Sequence, residues 1–596
     1  MLFIIYLFHI KKEMFFLIRT LLKSVREYKL PSLLAPLFIA GEVIVECIIP
    51  FTTAKLITAI EDGCDIPTIV RHGLMLIMLA IISLTCGALS GHFAAVASCG
   101  FAKNLRHDIY SSVQSFSFAN IDKFSTSGLV TRLTTDVSNV QMSYMMIIRT
   151  AIRSPFMLLF SLCMALIISP RMSVAFAVII PFLALGLIFI ITHAHPIFKS
   201  VFKKYDNLNA SVQENVSGMR VVKAYVREKF EVEKFSKASD EVCGDFTRAE
   251  KLIALNSPLM QFCFNTLMLT VSFFGSRLII SSQETDLRVG ELSSLLTYGA
   301  QILMSLMMLS MIIVTITISV ASAVRIGEVL QEKSTITDPE NPITEIRDGS
   351  IVFDNVSFKY SEGSKKNSLS GINLSIASGE TVGIIGGTGS GKTTLIQLIS
   401  RLYDTNEGSV SVGGEDVRKY GLEALRNEVS VVLQKNVLFS GTIKENLRWG
   451  NANATDEEME RICRLAQADE FIKQLPDGYD TFIERGGTNV SGGQKQRLCI
   501  ARALLKKPKI LILDDSTSAV DTKTDALIRR AFAEEIPDTT KIIIAQRISS
   551  VEHADKIVVM NGGRIESIGT HDELLRISPI YREVYDSQVK GGSDDE

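Results

Sequence analysis

The sequence predicts a two-part architecture, in which an all-α six-helix transmembrane domain with long cytoplasmic helix extensions precedes an α/β domain. Two observations support this prediction. Long apolar stretches crowd into the chain before about residue 325, and the remainder has the composition of a soluble α/β protein. After residue 350, strand patterns lead into helical patterns, and one such junction is a glycine-rich turn. The expected divisions are an N-terminal interfacial segment, a transmembrane domain, a linker and the α/β domain, at 1–30, 31–330, 331–349 and 350–590.

The hydrophobic residues indicate a membrane protein, because they make up 47% of the 596 residues and lie in runs. A membrane-spanning helix needs about 20 mostly apolar residues. Six stretches qualify, namely 33–58, 73–98, 153–169, 172–194, 254–281 and 291–321. The connections after the second and fourth stretches are long and polar, which predicts that four helices continue well past the membrane. The net charge of −2 gives no reason to expect nucleic acid as a partner.

The distribution of charged residues predicts the orientation in the membrane. Lysine and arginine are frequent in the N-terminal segment and in the long connections, whereas the short loop after the first span carries Glu61, Asp62 and Asp65. Basic segments stay in the cytoplasm, so we expect a multi-pass plasma membrane protein with both termini inside. An interfacial helix is expected from about Met14 to Tyr28. Whether residues 1–13, with their short apolar run, belong to the mature chain is left open.

Two acidic residues interrupt the first span. Glu42 and Glu46 lie one helical turn apart on one face. Each would cost about 2.5–3.5 kcal/mol at a lipid-facing position, so we expect both to face the bundle interior or a wet cavity, with His92 within reach of Glu42. Two interpretations stay open: a polar patch in the substrate path, or an interhelical hydrogen-bond cluster. Arg149 and Arg153 are interpreted as snorkelling side chains near a membrane interface.

A phosphate-binding loop follows a strand predicted at Thr381–Ile385. The loop has the pattern GxxxxGK[ST] and leads into a helix. Glycines let backbone N–H groups converge on phosphate, and the helix N-terminus adds positive potential. Lys392 would hold the β- and γ-phosphates, and the Thr393 hydroxyl would ligate Mg²⁺. The motif therefore predicts ATP binding by Gly386, Gly387, Thr388, Gly389, Ser390, Gly391, Lys392, Thr393 and Thr394.

Two further strings complete the pattern of a nucleotide-hydrolysing domain. The apolar strand Lys509–Asp514 ends in an aspartate that would help to hold Mg²⁺. The string Val490–Gln494 reads Val-Ser-Gly-Gly-Gln and places small residues at a helix start, where an anion is favoured. Together with the phosphate loop, it resembles the signature of ABC exporters, which carry the membrane domain first and an α/β P-loop ATPase domain second. The resemblance covers nearly the whole chain.

The resemblance implies roles for residues at matching positions. Tyr360, at the end of a strand predicted from Ile351, would stack on adenine. Gln434 would link Mg²⁺ and the attacking water to the membrane domain, and Asp521 would communicate between sites. The segments Asn120–Asp136 and Glu214–Arg227 resemble the regions that couple helices to nucleotide domains. The residues that would cap ATP bound to the other subunit are Ser491, Gly492, Gly493 and Gln494.

Two departures from the family pattern affect the expected hydrolytic group of Asp515, Gln434 and Gln546. The aspartate that ends the strand, Asp514, is the Walker B aspartate of the family pattern. The family usually has glutamate at the next position, whereas this chain has Asp515, whose side chain is one methylene shorter. The family usually has histidine in the switch loop, whereas this chain has Gln546, which cannot carry a positive charge. A base misplaced by about 1 Å can lose roughly 100-fold in rate. The resemblance therefore implies a site that binds ATP and hydrolyses it poorly.

The signature departs from the family only at Val490, where leucine is usual. The chain thus resembles the degenerate-site subunit of heterodimeric bacterial multidrug-type exporters, which would pair with a second half-transporter carrying glutamate and histidine. A homodimer with slow turnover is the alternative assembly. The expected function is ATP-driven export of amphipathic or hydrophobic drugs, lipids or peptides. An ATP-gated channel or regulatory membrane subunit is the alternative function, while the six fused spans argue against a soluble ATPase or an importer.

Overall fold

The computed structural model describes residues 12–283, 285–361, 363, 366–515 and 520–590. The apolar run at residues 2–8 lies outside them, as do the Ser-Thr-Ser residues 516–518 that follow Asp515. The chain divides into two compact units. The membrane unit comprises Met1–Gln114 and Ser125–Glu332, and the nucleotide unit comprises Ser115–Phe124 and Lys333–Glu596.

The chain before residue 332 is helical throughout most of its described length. Its helices are α1 (Lys12–Leu22), α2 (Lys29–Glu61), α3 (Ile66–Ser115), α4 (Phe118–Phe124), α5 (Thr126–Thr131), α6 (Val137–Ile148), α7 (Thr150–Ile168), α8 (Pro170–Ser217), α9 (Met219–Ala224), α10 (Glu228–Ala254), α11 (Asn256–Ser282) and α12 (Val289–Gln331). A 3₁₀ segment at Lys23–Tyr28 follows α1, and a π-helical segment at Arg132–Asp136 follows α5. Helix α4 belongs to the nucleotide unit.

The six predicted spans are confirmed. Within the described residues, six helical stretches are long and apolar enough to cross a membrane, namely Leu17–Glu61, Ile66–Ser115, Thr126–Ile168, Pro170–Phe198, Glu228–Ser282 and Val289–Gln331. Helices α3 and α8 have 50 and 48 residues. At 1.5 Å per residue each is roughly 70–75 Å long, against about 30 Å of hydrocarbon. Both therefore continue well beyond a bilayer, as the long polar connections predict.

The helix predicted from Met14 to Tyr28 is present as α1 and the 3₁₀ segment that follows it. Val25 of this segment is buried, whereas Ile18 and Leu22 are 43% and 50% exposed. An amphipathic helix that leaves apolar side chains exposed suits a membrane surface. The interfacial position of this helix stays a prediction.

The nucleotide unit contains three sheets and the helices that pack on them. Its strands are β1 (Ile351–Phe358), β2 (Leu369–Ile376), β3 (Thr381–Gly386), β4 (Glu407–Val412), β5 (Glu415–Asp416), β6 (Val429–Val432), β7 (Gly441–Thr442), β8 (Phe482–Ile483), β9 (Ile510–Asp514), β10 (Thr540–Ile544), β11 (Lys556–Asn561) and β12 (Arg564–Gly569). Its further helices are α13 (Lys392–Ile399), α14 (Leu422–Glu428), α15 (Ile443–Arg448), α16 (Asp456–Leu465), α17 (Asp469–Gln474), α18 (Gly492–Leu504), α19 (Thr522–Glu535), α20 (His571–Ile577) and α21 (Pro579–Lys590).

The main sheet has six strands in the order β12-β11-β3-β10-β9-β6. Strands β11, β3, β10, β9 and β6 run parallel, and β12 pairs antiparallel with β11. All residues of β9 and β10 are buried, as expected for a parallel sheet covered on both faces. A second, antiparallel sheet has the order β2-β1-β4-β5. The carboxyl ends of β3, β10, β9 and β6 meet at one edge of the main sheet, where ligands of such folds bind.

Candidate functional site

The phosphate loop connects β3 to α13. Gly391 has φ +97°, and a Cβ there would lie 2.8 Å from Leu369 Cδ2 and 2.9 Å from the Ser368 carbonyl oxygen. Both the left-handed backbone and the lack of space therefore require glycine at this position. Helix α13 begins at the next residue, so its first N–H groups are directed at the space enclosed by the loop.

Lys392 and Thr393 lie where the sequence predicts phosphate and metal contacts. The Lys392 Nζ atom donates hydrogen bonds to the carbonyl oxygens of Gly386 and Gly387 at 2.7 and 2.9 Å. Burial lowers the pKa of Lys392, and the carboxylates of Asp514 and Asp515 oppose this effect. The ammonium group is thus held at the loop, where a triphosphate would offer it oxygen atoms in place of backbone carbonyls.

Asp514 at the end of β9 is 3% exposed. It accepts a hydrogen bond from the Thr393 hydroxyl at 3.0 Å. Burial raises the pKa of the Asp514 carboxyl, the charge of Asp515 adds to this, and the Thr393 hydrogen bond and Lys392 act in the opposite direction. A hydroxyl and a carboxylate at this distance are oxygen ligands of the kind that Mg²⁺ takes beside substrate phosphates, so the residues fit the predicted metal.

Asp515 is held by two glutamine amides. The Gln546 Nε2 atom donates to Asp515 Oδ2 at 2.7 Å, and Gln434 Nε2 lies 3.4 Å from the same oxygen. Asp515 is 9% exposed and has φ +48°, a left-handed conformation that is uncommon outside glycine and tolerated by aspartate. The parallel sheet thus brings together the predicted residues Asp514, Asp515, Gln434 and Gln546 from the ends of β9, β6 and β10.

Tyr360 lies beside the phosphate-loop helix. Its hydroxyl donates to Gln397 Oε1 at 2.9 Å and is 3.0 Å from the Thr394 hydroxyl. Its ring makes edge contacts with Phe358 and Tyr403 at centroid distances of 4.9 and 5.1 Å. The side chain is 49% exposed, so one part of the ring is packed and another is open to a ligand. Strand β1 ends at Phe358, two residues before the predicted strand end.

The signature begins α18. The Ser491 hydroxyl accepts a hydrogen bond from the Gln494 N–H at 3.2 Å, and Gln494 Oε1 accepts one from the Ser491 N–H at 2.8 Å. These reciprocal bonds form a capping box, which fixes the first turn and keeps the Ser491 side chain within it. Ser491 and Gly492 are exposed, so the positive end of the helix dipole is open to solvent.

Asp521, the predicted communicating residue, caps α19. Its Oδ1 atom accepts a hydrogen bond from the Thr524 N–H at 2.9 Å. This backbone hydrogen bond lowers the pKa of the Asp521 carboxyl. The negative charge of a capping aspartate also interacts favourably with the positive end of the helix dipole. The charge of Asp521 therefore has a structural role in addition to the predicted one.

The acidic pair of the first span has a different partner from the one the sequence predicts. Arg153 of α7 donates to Glu42 Oε1 at 2.5 Å through Nη1 and to both Glu46 oxygens at 2.8 Å through Nη2. The sequence leaves His92 within reach of Glu42, whereas Glu42 contacts Arg153, whose guanidinium fork matches two carboxylates one turn apart. His92 is exposed and makes an edge contact with Phe93. The snorkelling interpretation of Arg153 is wrong, because its guanidinium pairs with both glutamates.

Three residues beside the nucleotide site carried no signal in the sequence. Gln397 and Tyr403 hold Tyr360 from two sides. Asp122 of α4 accepts a hydrogen bond from the Tyr403 hydroxyl at 2.8 Å. Asp122 falls inside the predicted coupling segment Asn120–Asp136, but its contact with Tyr403 spans 281 residues of sequence, and no local pattern predicts such a contact.

The comparisons with known proteins agree with this geometry. The family described as ABC transporter transmembrane region matches residues 32–307, and the family described as ABC transporter matches residues 369–518. The uncharacterized ABC transporter ATP-binding protein YfiB of Bacillus subtilis is 36% identical over 570 residues, which cover 95% of this chain and 98% of the relative. The chain belongs to the ABC transporter family. It is an exporter half-transporter, with a six-span membrane domain fused to a cytoplasmic nucleotide-binding ATPase domain.

Two further proteins are similar to this ABC exporter over most of its length. The probable multidrug resistance ABC transporter ATP-binding/permease protein YheI of Bacillus subtilis is 36% identical over 468 residues, which cover 78% of this chain and 79% of the relative. A bacterial Atm1-family ABC exporter solved with ATP bound has a TM-score of 0.81 at 24% identity, covering 95% of this chain and 98% of that one. The structural likeness confirms the predicted fold class.

Proposed function

We propose that this ABC exporter is the degenerate-site half of a heterodimer. It binds ATP at a site of its own that hydrolyses poorly, and its signature completes the active site of a partner that carries the usual glutamate and histidine. The pair exports amphipathic or hydrophobic substrates, such as drugs, lipids or peptides, across the plasma membrane.

The hydrogen bonds of Asp515 are the observation that carries this proposal. A general base must direct a carboxylate oxygen at the attacking water, whereas Asp515 directs Oδ2 at the side-chain amides of Gln546 and Gln434, at 2.7 and 3.4 Å. The short aspartate also keeps the carboxylate nearer its own backbone than a glutamate would. The neutral Gln546 amide cannot supply the positive charge that a protonated histidine brings to developing negative charge on phosphate.

The same site retains what is needed to bind ATP. Lys392 and the first turn of α13 would contact the phosphates, and the open part of the Tyr360 ring would stack on the base. Thr393 and Asp514 would hold Mg²⁺, which supplies positive charge beside the phosphates when bound. These groups are arranged as in a site that holds nucleotide. The proposed loss of hydrolysis is confined to the residues that would activate water, Asp515 and Gln546.

The signature supports the second half of the proposal. Its capping box fixes Ser491, and Ser491 and Gly492 are exposed at the N-terminus of α18, so the turn can meet an anion without reorganising. In the proposed pair, that anion is the triphosphate held by the partner's phosphate loop. The proposed pair therefore has one ATP site that hydrolyses poorly and one that hydrolyses well.

The substrate class rests on the membrane unit and on similarity. The spans are apolar, and YheI is described as a probable multidrug resistance protein. The Glu42–Arg153–Glu46 cluster has two carboxylates and one guanidinium, so its formal charge is negative when all three groups are ionised. That charge favours amphipathic substrates with a cationic group over those with an anionic group.

The test is steady-state ATPase activity in lipid, measured for the chain alone and for the chain co-expressed with a half-transporter that carries glutamate and histidine. The control is Lys392→Ala in each preparation. We expect near silence from the chain alone and activity from the pair. Brisk turnover by the chain alone, abolished by Lys392→Ala, would support the homodimer instead.

A further inference from the structure

Tyr403 lies between Tyr360, the residue proposed to contact the base, and helix α4, which comes between two membrane spans in the sequence. Its ring meets the Tyr360 ring edge-on, at a centroid distance of 5.1 Å and an angle of 89°. Its hydroxyl donates to Asp122 Oδ2 at 2.8 Å. One side chain thus contacts both Tyr360 and helix α4, which follows the second membrane span in the chain.

The Ser115–Phe124 segment, which contains α4, is held by hydrogen bonds to the residues that follow the last membrane span. The Asn120 side-chain amide donates to the Lys333 carbonyl oxygen at 3.1 Å and accepts from the Thr335 N–H at 3.2 Å. The Ser117 and Thr335 hydroxyls are 2.7 Å apart. Asn120 is 2% exposed and Ser117 is 6% exposed, so these bonds are shielded from water. A displacement of α4 would therefore act on Tyr403 through Asp122.

The Tyr403 side chain is suited to transmit such a displacement. It is only 9% exposed, and it also packs against Phe358 at a centroid distance of 5.6 Å. Burial raises the pKa of Tyr403, and the hydrogen bond to the Asp122 carboxylate raises it further. The hydroxyl therefore stays protonated at neutral pH and remains the donor to Asp122.

Tyr360 is held from the opposite side by the phosphate-loop helix. Thr394 and Gln397 of α13 contact its hydroxyl at 3.0 and 2.9 Å. The ring position is thus set by α13 on one side and by Tyr403 on the other. Aromatic stacking depends on ring position, so a shift of the Tyr360 ring changes the affinity for the base.

We propose that Tyr403 is a positioning residue, which couples the affinity for the base of ATP to the position of the Ser115–Phe124 segment by linking Tyr360 to Asp122. The proposal rests on the proposed contact of Tyr360 with the base. Coupling between two sites is reciprocal. Binding of ATP therefore stabilises the position of α4 at the Tyr403 hydroxyl by the same free energy by which α4 stabilises the bound position of Tyr360.

The experiment compares two ligands of the full-length protein in lipid nanodiscs: ATP, and inorganic tripolyphosphate, which has no base. Tyr403→Phe removes the bond to Asp122 and keeps the ring, whereas Asp122→Ala removes the acceptor. We expect each variant to weaken ATP binding about fivefold, at the lower end of usual coupling energies, and to leave tripolyphosphate binding unchanged. The double variant should be no weaker than either single variant, and Asp122→Asn, which retains an acceptor oxygen, should recover much of the affinity.

Four outcomes would overturn the proposal. Equal weakening of both ligands by Tyr403→Phe would mean a merely structural role. Additive effects of Tyr403→Phe and Asp122→Ala would mean that the two residues act separately. Tyr360→Ala provides the reference, because it should abolish the preference for ATP over tripolyphosphate. If Tyr360→Ala leaves that preference intact, the base contact itself is wrong; if it abolishes the preference and Tyr403→Phe does not reduce it, only the positioning role is wrong.

Discussion

Gln546 donates its side-chain amide to the carboxylate of Asp515 at 2.7 Å. The two residues follow adjacent parallel strands, β10 and β9, and their proximity is a direct result of that pairing. The bond engages one of the two carboxylate oxygens through which a general base would act. The two residues that depart from the family pattern, Asp515 and Gln546, thus interact directly with each other.

Restoring both family residues together should restore hydrolysis at this site. In a pair whose partner has its catalytic glutamate replaced by glutamine, Asp515→Glu with Gln546→His should raise residual ATPase activity at least tenfold. The gain comes from moving the carboxylate outward, since a 1 Å displacement can cost roughly 100-fold, and from the charge that histidine adds. The same double variant carrying Lys392→Ala should stay silent. Unchanged activity in the double variant would place the defect elsewhere.

Asp514→Asn should stabilise the protein when nucleotide and metal are absent. Burial raises the pKa of Asp514, so the folded chain holds this proton more tightly than the unfolded chain does. The corresponding stability is present at low pH and is lost as pH rises through the folded pKa. The advantage of the variant should therefore be clear at neutral pH and should shrink toward the ordinary aspartate pKa of about 3.9.

Thermal unfolding in chelator across this pH range measures the effect. Asp521→Asn is the matched control, because a backbone hydrogen bond lowers the pKa of that carboxyl and its ionised form favours the fold. This control should bring no gain in stability. A lower unfolding temperature for Asp514→Asn at neutral pH would contradict the prediction.

The carboxylates of the first span should depend on Arg153 for their burial. Arg153→Met should lower stability by about 3 kcal/mol, the low end for a broken buried pair, because Glu42 is only 6% exposed and its Oε2 atom has no hydrogen-bond partner among the described residues. Adding Glu42→Gln and Glu46→Gln should recover most of the loss. Arg149→Met, at an exposed arginine four residues earlier, is the control, and an equal loss in both arginine variants would contradict the pairing.

The fold was predictable where the sequence is strongly periodic or carries a motif. Six apolar stretches of sufficient length identify the spans, and the strand that leads into the phosphate loop identifies the ATPase domain. The meeting of Gln434, Asp514 and Gln546 at one sheet edge follows from strand order, which the family resemblance supplies and hydrophobic patterns alone do not.

The remaining contacts depend on geometry that no local pattern records. The choice of Arg153 over His92 as the partner of Glu42 depends on how each helix is rotated about its axis. The bond from Tyr403 to Asp122 requires that a segment between two spans pack against the ATPase fold. The left-handed Asp515 donates its N–H to the Ile544 carbonyl oxygen of the neighbouring strand β10 at 2.9 Å, a contact between residues 29 positions apart in the sequence.

The most direct measurement of the proposed asymmetry is the ATPase activity of the purified pair with either of two substitutions in this chain. Asp515→Ala should change the rate less than twofold, because this site contributes little hydrolysis. Ser491→Asp keeps a side chain that caps α18 but places a carboxylate where the partner's triphosphate would bind, so it should abolish activity while thermal stability is retained. The reverse pattern, with loss of activity in Asp515→Ala and normal activity in Ser491→Asp, would contradict the proposal.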